Sequence, residues 1–490
     1  MQKLPEESGS DALPVAVALC CAAALRIIFY SGLTGYDEFA YARIAADIAE
    51  GLFRLPDVTG YYGFRYLVTF PAAFFYKILG QGALSAAAWP FLCSLCNTAL
   101  AYSLGRELFG RRAGVIAAFL QAFLPLSVVY GTMLYPDEIL AFLTGLAALL
   151  FLKGSKAGGR WGGAGLLALA GLVAGLGWHT RLNSAIMLPV FAVWLVKLKP
   201  RPAHLAVAAG FLIALIPDWI AGAALAGDPL FSLRSQLAKL AADTAVYPDG
   251  HLVYLRGLLG LDLYGLALFG FIFYLFAASV LGFAGKKRLA QIWLPLAWFA
   301  VVLAYLEFGP ASLSPYKPVH KQLRFLSMAT LPMIAVAAAY LSELRRALAW
   351  PVLGLALAAS VIGAREMSAY QAREAAPARL AAGYIERRAP SAVYADGYLF
   401  QYLAYGSRTS SRDPYYQGPG AEPGFARSFE KYFTGILLPG TCAVEELAPG
   451  DEGRSRLQAA AGYDRVRISG TAMLYCFNKA VTERVKEVDR

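Results

Sequence analysis

Two adjacent carboxylates, Asp37 and Glu38, head the stretch 36-YDEFAYA-42, directly after the apolar run 13-LPVAVALCCAAALRIIFY-30. A second pair, Asp137 and Glu138, follows a proline in 135-YPDE-138. Basic groups stand far from both in sequence: Arg181 in 178-WHTR-181, and His320, Lys321 and Arg324 in 317-KPVHKQLR-324, shortly after Glu307. Carboxylates of this kind can take a proton from an incoming hydroxyl or help hold a divalent ion. Guanidinium and ammonium groups can neutralise a phosphate whose charge grows as a bond breaks. Each residue also has a purely local account. Asp37 suits the N-cap of a helix over 38–50, with Glu38 in its first turn, Ala40, Ile44 and Ile48 on one face, Arg43 and Asp47 on the other, and Gly51 as its stop. Pro136 starts a helix equally well, Arg181 and Lys321 can reach up to lipid headgroups, and His179 and His320 read first as structural.

What must position these groups is a membrane bundle. The chain has 490 residues, of which only 16% are charged, where a soluble protein carries about a quarter. Its mean hydropathy is +0.50, and apolar runs long enough to cross a ~30 Å hydrocarbon core recur along its first three quarters. About eleven spans are expected, near 13–33, 84–104, 114–131, 139–153, 163–178, 182–197, 204–225, 262–284, 289–307, 323–342 and 349–364. The first reads as an uncleaved signal anchor. The apolar segment 66–80 is short and carries Pro71 and Lys77, so it reads as a juxtamembrane helix inside a first outer loop, 34–83.

The net charge of +11 is spread over short loops, which argues for topology and against a nucleic-acid partner. With the N-terminus inside, 106-RELFGRR-112, 153-KGSKAGGR-160, 197-KLKPRP-202, 286-KKR-288 and 343-ELRR-346 all fall on the cytoplasmic side. Every candidate group then falls on the opposite, outer side, at one rim of the bundle, where ionisable residues mark functional cavities.

Residues 1–364 therefore read as a transmembrane domain. Past Ala364 the chain becomes charged, with alternating stretches such as 391-SAVYADG-397 and 471-TAMLYCF-477 and turn signals over 412–424. Residues 365–490 are expected to form a small extracytoplasmic α/β domain. Four of the six cysteines lie in spans, and the Cys93–Cys96 spacing, without a second pair, reads as ordinary packing. Cys442 and Cys476 are the two in the outer region, where an oxidising compartment permits a disulfide; their proximity is not readable from sequence.

The order and sidedness of these motifs resemble the membrane glycosyltransferases of the C superfamily, in particular protein O-mannosyltransferases and the aminoarabinose transferases that modify lipid A. The resemblance covers about 13–345 and rests on 36-YDEFAYA-42, 104-LGRELFGRRAGVIAAFL-120, 124-LPLSVVYGTMLYPDE-138, 171-GLVAGLGWHTRLNSAIMLP-189 and 320-HKQLRFLSMATLP-332. It departs at 60–70, which is poorer in proline than the family pattern, and at 308–324, a loose match.

The resemblance implies a GT-C-like, mainly α fold and transfer of a sugar from a polyprenyl-phosphate carrier to a protein, lipid or glycan acceptor by one inverting displacement. In that reading Asp37 is the base, with Glu38 second, and Arg181, Lys321 and Arg324 face the carrier phosphate, with His320 nearby. Asp137 orients the sugar or base and Glu138 is its weaker companion; Asp37 and Asp137 permit a divalent cation without requiring one. The alanine-rich style points to a bacterial inner membrane, with the active site on its periplasmic face. A lipid-linked-sugar transporter is the alternative class, with a non-catalytic assembly subunit behind it. Transporters usually carry internal repeats and broken helices at the midplane; here no repeat is visible, and the charges cluster at one rim.

Overall fold

The computed structural model describes residues 11–55, 61–246, 250–313 and 316–388, and beyond them the strands 392–395, 415–417, 441–446, 463–467 and 472–477. The turn signals over 412–424 otherwise lie outside the described residues. In chain order the helices are α1 (Ala12–Ile28), α2 (Tyr36–Glu50), α3 (Tyr66–Leu79), α4 (Ala83–Phe109), α5 (Arg111–Phe123), α6 (Pro125–Tyr130), α7 (Pro136–Lys156) and α8 (Ala164–Trp178). They continue with α9 (Met187–Leu198), α10 (Leu205–Ala226), α11 (Phe231–Val246), α12 (Val253–Leu258), α13 (Leu263–Gly285), α14 (Trp293–Phe308), α15 (Ser327–Glu343) and α16 (Arg346–Arg388).

Chain packing separates two compact units, Met1–Gly32 with Ile44–Ser368, and Leu33–Arg43 with Ala369–Arg490. The first is a helical bundle. Six of its described helical stretches are long and apolar enough to cross a membrane: Ala83–Phe109, Pro136–Lys156, Pro202–Ala226, Leu263–Gly285, Leu323–Glu343 and Arg346–Arg373. Shorter apolar helices, Ala12–Ile28, Ala164–Trp178, Leu182–Leu198 and Trp293–Phe308, lie at four of the other five expected spans. α3 has 14 residues, about 21 Å at the helical rise and short of a full crossing.

α15 is the centre of this unit. Every residue from Leu326 to Ala339 is buried, as expected of a helix that is apolar all round. α8 and α10 pack backbone to backbone: a Cβ on Gly171 would run into the Val207 carbonyl, and one on Gly210 into the Ala168 carbonyl.

Two expected spans are not continuous helices. The run 114–131 breaks between α5 and α6, where Leu124 (φ −57°, ψ 118°) precedes Pro125; the proline ring pushes its predecessor out of the helical region. α13 kinks at Gly270 (φ 51°, ψ −141°), a conformation that favours glycine. α16 runs 43 residues, well past the apolar stretch, because 365–388 is rich in strong helix formers.

The five basic loops meet at one end of the bundle. Lys156 Nζ pairs with Glu107 Oε1 at 2.6 Å, and Arg201 donates to carbonyls of Gly154, Ser155, Ala157 and Gly159. Arg112 donates to Ser342 O at 2.9 Å and Leu344 O at 3.1 Å. Arg288 grips Glu343 through both terminal nitrogens, at 2.9 and 2.8 Å. Several of these arginines satisfy helix C-terminal carbonyls that otherwise lack partners.

In the second unit a five-stranded sheet has the order β4-β3-β5-β7-β6, after the short hairpin β1 (Pro310–Leu313) and β2 (Tyr316–Pro318) of the first unit. Its strands are β3 (Ala392–Ala395), β4 (Tyr415–Gln417), β5 (Thr441–Glu446), β6 (Tyr463–Arg467) and β7 (Ala472–Phe477). β3 is parallel to β4 and β5, whereas β7 is antiparallel to β5 and β6.

Candidate active site

Opposite the basic loops, four elements of the first unit converge. α7 begins at Pro136, whose fixed φ and missing N–H suit a first turn; Tyr135 before it is extended (φ −111°, ψ 155°). This start holds Asp137 almost fully buried, at 1% exposure. α8 ends at Trp178, and an extended Arg181 (φ −164°, ψ 137°) leads into the 3-10 turn Leu182–Ile186. Arg324 sits in a second 3-10 turn, Leu323–Leu326, at the entry to α15.

The three side chains meet. Arg181 Nη1 lies 3.3 Å from Asp137 Oδ1, and Arg324 Nε lies 3.6 Å from Asp137 Oδ2. Asp137 accepts no hydrogen bond at either carboxylate oxygen among the described residues, and Arg181 Nε and Nη1 donate none. The contacts are ion pairs with unspent hydrogen-bonding capacity. Aromatic faces fix the guanidiniums: Arg181 lies 3.9 Å over Phe325, and Arg324 lies 3.8 Å over Tyr135. Two guanidiniums thus face one buried carboxylate. A third ionisable neighbour by sequence, His179, is taken up structurally, with Nε2 2.8 Å from Ala214 O and its carbonyl accepting from Leu67 N.

Other candidates have different company. Lys321 Nζ is sealed against Glu307 Oε2 at 2.9 Å and donates to Gly250 O at 2.8 Å, while Glu307 Oε1 accepts from Leu255 N at 2.8 Å. The pair ties the entry of α12 to the loop before α15. Gln322 Nε2 lies 3.1 Å from His320 Nε2; an amide nitrogen only donates, so the imidazole nitrogen accepts.

Glu138, one residue past Asp137, faces a different environment. Its Oε2 accepts from Ser127 Oγ at 2.6 Å and Asn97 Nδ2 at 3.0 Å. Ser127 O accepts from Ser94 Oγ at 3.1 Å, and Ser94 Oγ accepts from Arg26 Nε at 2.6 Å. A buried acid and a buried base are thus linked through two serines across α1, α4, α6 and α7. Sequence reasoning passed over Arg26, Ser94, Asn97 and Ser127; the available signal was a lone arginine inside an apolar run. Asp218, within α10, was passed over likewise and accepts from Tyr66 Oη at 3.0 Å.

Asp37 and Glu38 belong to the second unit. The helix there starts at Tyr36, two residues earlier than an Asp37 cap requires, so Asp37 sits in the first turn and is half-buried. Glu38 does the capping: its Oε2 accepts from the backbone N–H groups of Thr34 and Gly35, each at 2.8 Å.

A divalent cation suits Asp137 poorly, because both of its oxygens already face guanidiniums. Among the described residues no three His, Cys, Asp or Glu groups converge as metal ligands. Cys93 is buried and Cys96 exposed on α4, and both are free thiols.

Residues 66–220 match the family model described as dolichyl-phosphate-mannose-protein mannosyltransferase. No curated protein matches the chain at a significant level. Among solved structures, ArnT from Cupriavidus metallidurans in the apo state is similar over 95% of this chain and 97% of its own, at 14% identity and a TM-score of 0.65. The same protein bound to undecaprenyl phosphate aligns over the same shares at 15% identity and 0.64. The oligosaccharyltransferase of Archaeoglobus fulgidus in its apo form aligns over 96% of this chain and 74% of its own, at 15% identity and 0.57. The chain has the fold of ArnT and of the archaeal oligosaccharyltransferase, and its residues 66–220 match the protein mannosyltransferase model.

Proposed function

We propose that this protein is an integral-membrane glycosyltransferase that moves a sugar from a polyprenyl-phosphate carrier to an acceptor on the outer face of the membrane. The observation that carries the reading is the buried Arg181–Asp137–Arg324 cluster, with two guanidiniums on one carboxylate and unused donors on Arg181. A site of that kind suits a phosphate, which guanidinium forks engage through two oxygens at once. Support comes from two proteins of the same fold, solved with undecaprenyl phosphate and with dolichol phosphate. A third structure, of the archaeal oligosaccharyltransferase, carries a tethered acceptor peptide.

In this reading the acceptor hydroxyl oxygen attacks the anomeric carbon while the bond from that carbon to the phosphate oxygen breaks. The electron pair of the broken bond stays on the carrier, which leaves as a phosphate monoester and gains a negative charge. Arg181 and Arg324 stabilise that charge. Asp37 takes the hydroxyl proton, and the sugar inverts at its anomeric carbon. Asp137 competes with the phosphate for the arginines and sets their geometry before the donor arrives. Glu38 holds the backbone before its helix, Glu138 anchors the Ser127 and Asn97 side chains, and Lys321 and His320 shape the loop beside the phosphate. The carrier tail lies in lipid, the C-terminal unit faces the acceptor side, and a bacterial inner membrane is the proposed setting.

The test is transfer itself. Purified protein in lipid nanodiscs is supplied with membrane-extracted, radiolabelled polyprenyl-phosphate sugars and with acceptor fractions. Label should pass to protein, lipid or glycan, and Asp37→Asn should abolish the passage. Movement of intact carrier across proteoliposomes without transfer would support the transporter instead.

A further inference from the structure

The register of the C-terminal sheet joins two residues whose sequence positions alone say nothing of proximity. In the antiparallel β5–β7 ladder, Cys442 is the Cα partner of Cys476. Directly opposed residues of such a ladder share one face, with Cα atoms about 4.5–5.5 Å apart. Disulfides bridge Cα separations of about 4.4–6.8 Å. A shift of register by one residue would put the two on opposite faces, and the pairing Ala443↔Tyr475, Val444↔Leu474, Glu445↔Met473 and Glu446↔Ala472 continues without a shift from that end.

We propose that Cys442 and Cys476 form an intrachain disulfide. The remaining four cysteines sit in α1 and α4 of the other unit and are free, so this pair has no competing partner within its own unit. Bond formation takes one proton from each thiol. The two electrons pass to the disulfide of a thiol–disulfide oxidoreductase, which becomes a dithiol. Cys442↔Cys476 is the terminal pair of the ladder, and Glu446↔Ala472 lies at the end leading into 447–471. The bond therefore closes the open end and encloses β6, which pairs with β7 alone. Three of the five strands, β5, β7 and β6, become one covalent loop, and most of the gain comes from restricting the unfolded chain. Such a bond also assigns the second unit to an oxidising compartment, since cytosolic thiols stay reduced. None of this depends on the transferase reading.

The experiment uses full-length protein from membranes of cells whose oxidative folding machinery is intact. Free thiols are blocked in denaturant with one maleimide, the protein is reduced, and newly exposed thiols take a second maleimide of different mass. Trypsin releases Cys442 within 432–454 and Cys476 within 468–479. Both peptides should carry only the second label, and without reduction they should appear as one linked species. The first label on either peptide, or a bond from either cysteine to a different one, overturns the proposal.

Discussion

Asp137 lies 3.3 Å from Arg181 and 3.6 Å from Arg324, so its neutralisation separates two accounts of the cluster. At 3.3 Å a unit charge pair attracts by ~5 kcal/mol at an effective dielectric of about 20. A phosphate entering the site must replace part of that attraction. If removing the carboxylate returns a third of it, affinity for undecaprenyl phosphate rises roughly 15- to 20-fold in Asp137→Asn. Arg181→Gln goes the other way: losing one charge-assisted contact costs about 1.5–3 kcal/mol, or roughly 10- to 150-fold in affinity. Asp137→Asn should also lower stability by about 3–5 kcal/mol, because two buried guanidiniums lose their counter-charge, and its turnover should fall. The assay is undecaprenyl-phosphate titration in nanodiscs by native mass spectrometry, with thermal melting of each variant alongside. If Asp137→Asn weakens binding as much as Arg181→Gln does, the cluster is a structural triad and the competition argument is wrong.

Three further outcomes are expected. Glu138→Gln strips the buried Arg26 of its nearest opposite charge and should lower unfolding stability by about 3 kcal/mol; an unchanged melting temperature counts against the network. Lys321→Met and Glu307→Gln should each destabilise by about 3–5 kcal/mol, whereas Lys321→Met with Glu307→Leu should recover most of the loss, read by a double-mutant cycle of melting temperatures. Burial pushes the Asp11 carboxyl up, but hydrogen bonds from Tyr102 and Arg111 outweigh it and hold it below the usual carboxylate range. Its contribution is therefore complete at neutral pH and is lost as pH falls below that range. Asp11→Asn should flatten the melting profile there, and an unaltered acid limb would rule the contact out as its source.

Much of the bundle was legible because lipid simplifies the code. Run length located α4, α7 to α10 and α13 to α15 but not α11 and α12, and Lys and Arg marked five loops that the structure joins at one end through Lys156, Arg201, Arg112 and Arg288. The breaks were also written locally, in Pro125 and Gly270, yet both are easily absorbed into an apolar window. Pairing was harder. Arg181, Asp137 and Arg324 share a rim by topology, but nothing in sequence says that Arg324 takes this carboxylate while Lys321, three residues earlier, takes Glu307. That choice depends on the 3-10 turn Leu323–Leu326, which turns the two cations to different sides. Asp37 and Glu38 show the same limit: Asp37 reads as the cap with Glu38 in the first turn, and backbone geometry gives the capping to Glu38.

The most direct measurement is single-turnover transfer of a labelled sugar from polyprenyl phosphate to acceptor in reconstituted wild type, Asp37→Asn and Arg181→Gln. Transfer with inversion in the wild type, none in Asp37→Asn, and slowed transfer by Arg181→Gln even at saturating donor are the expected results. Undiminished transfer by Asp37→Asn, or no transfer by wild type with any acceptor fraction, would contradict the account.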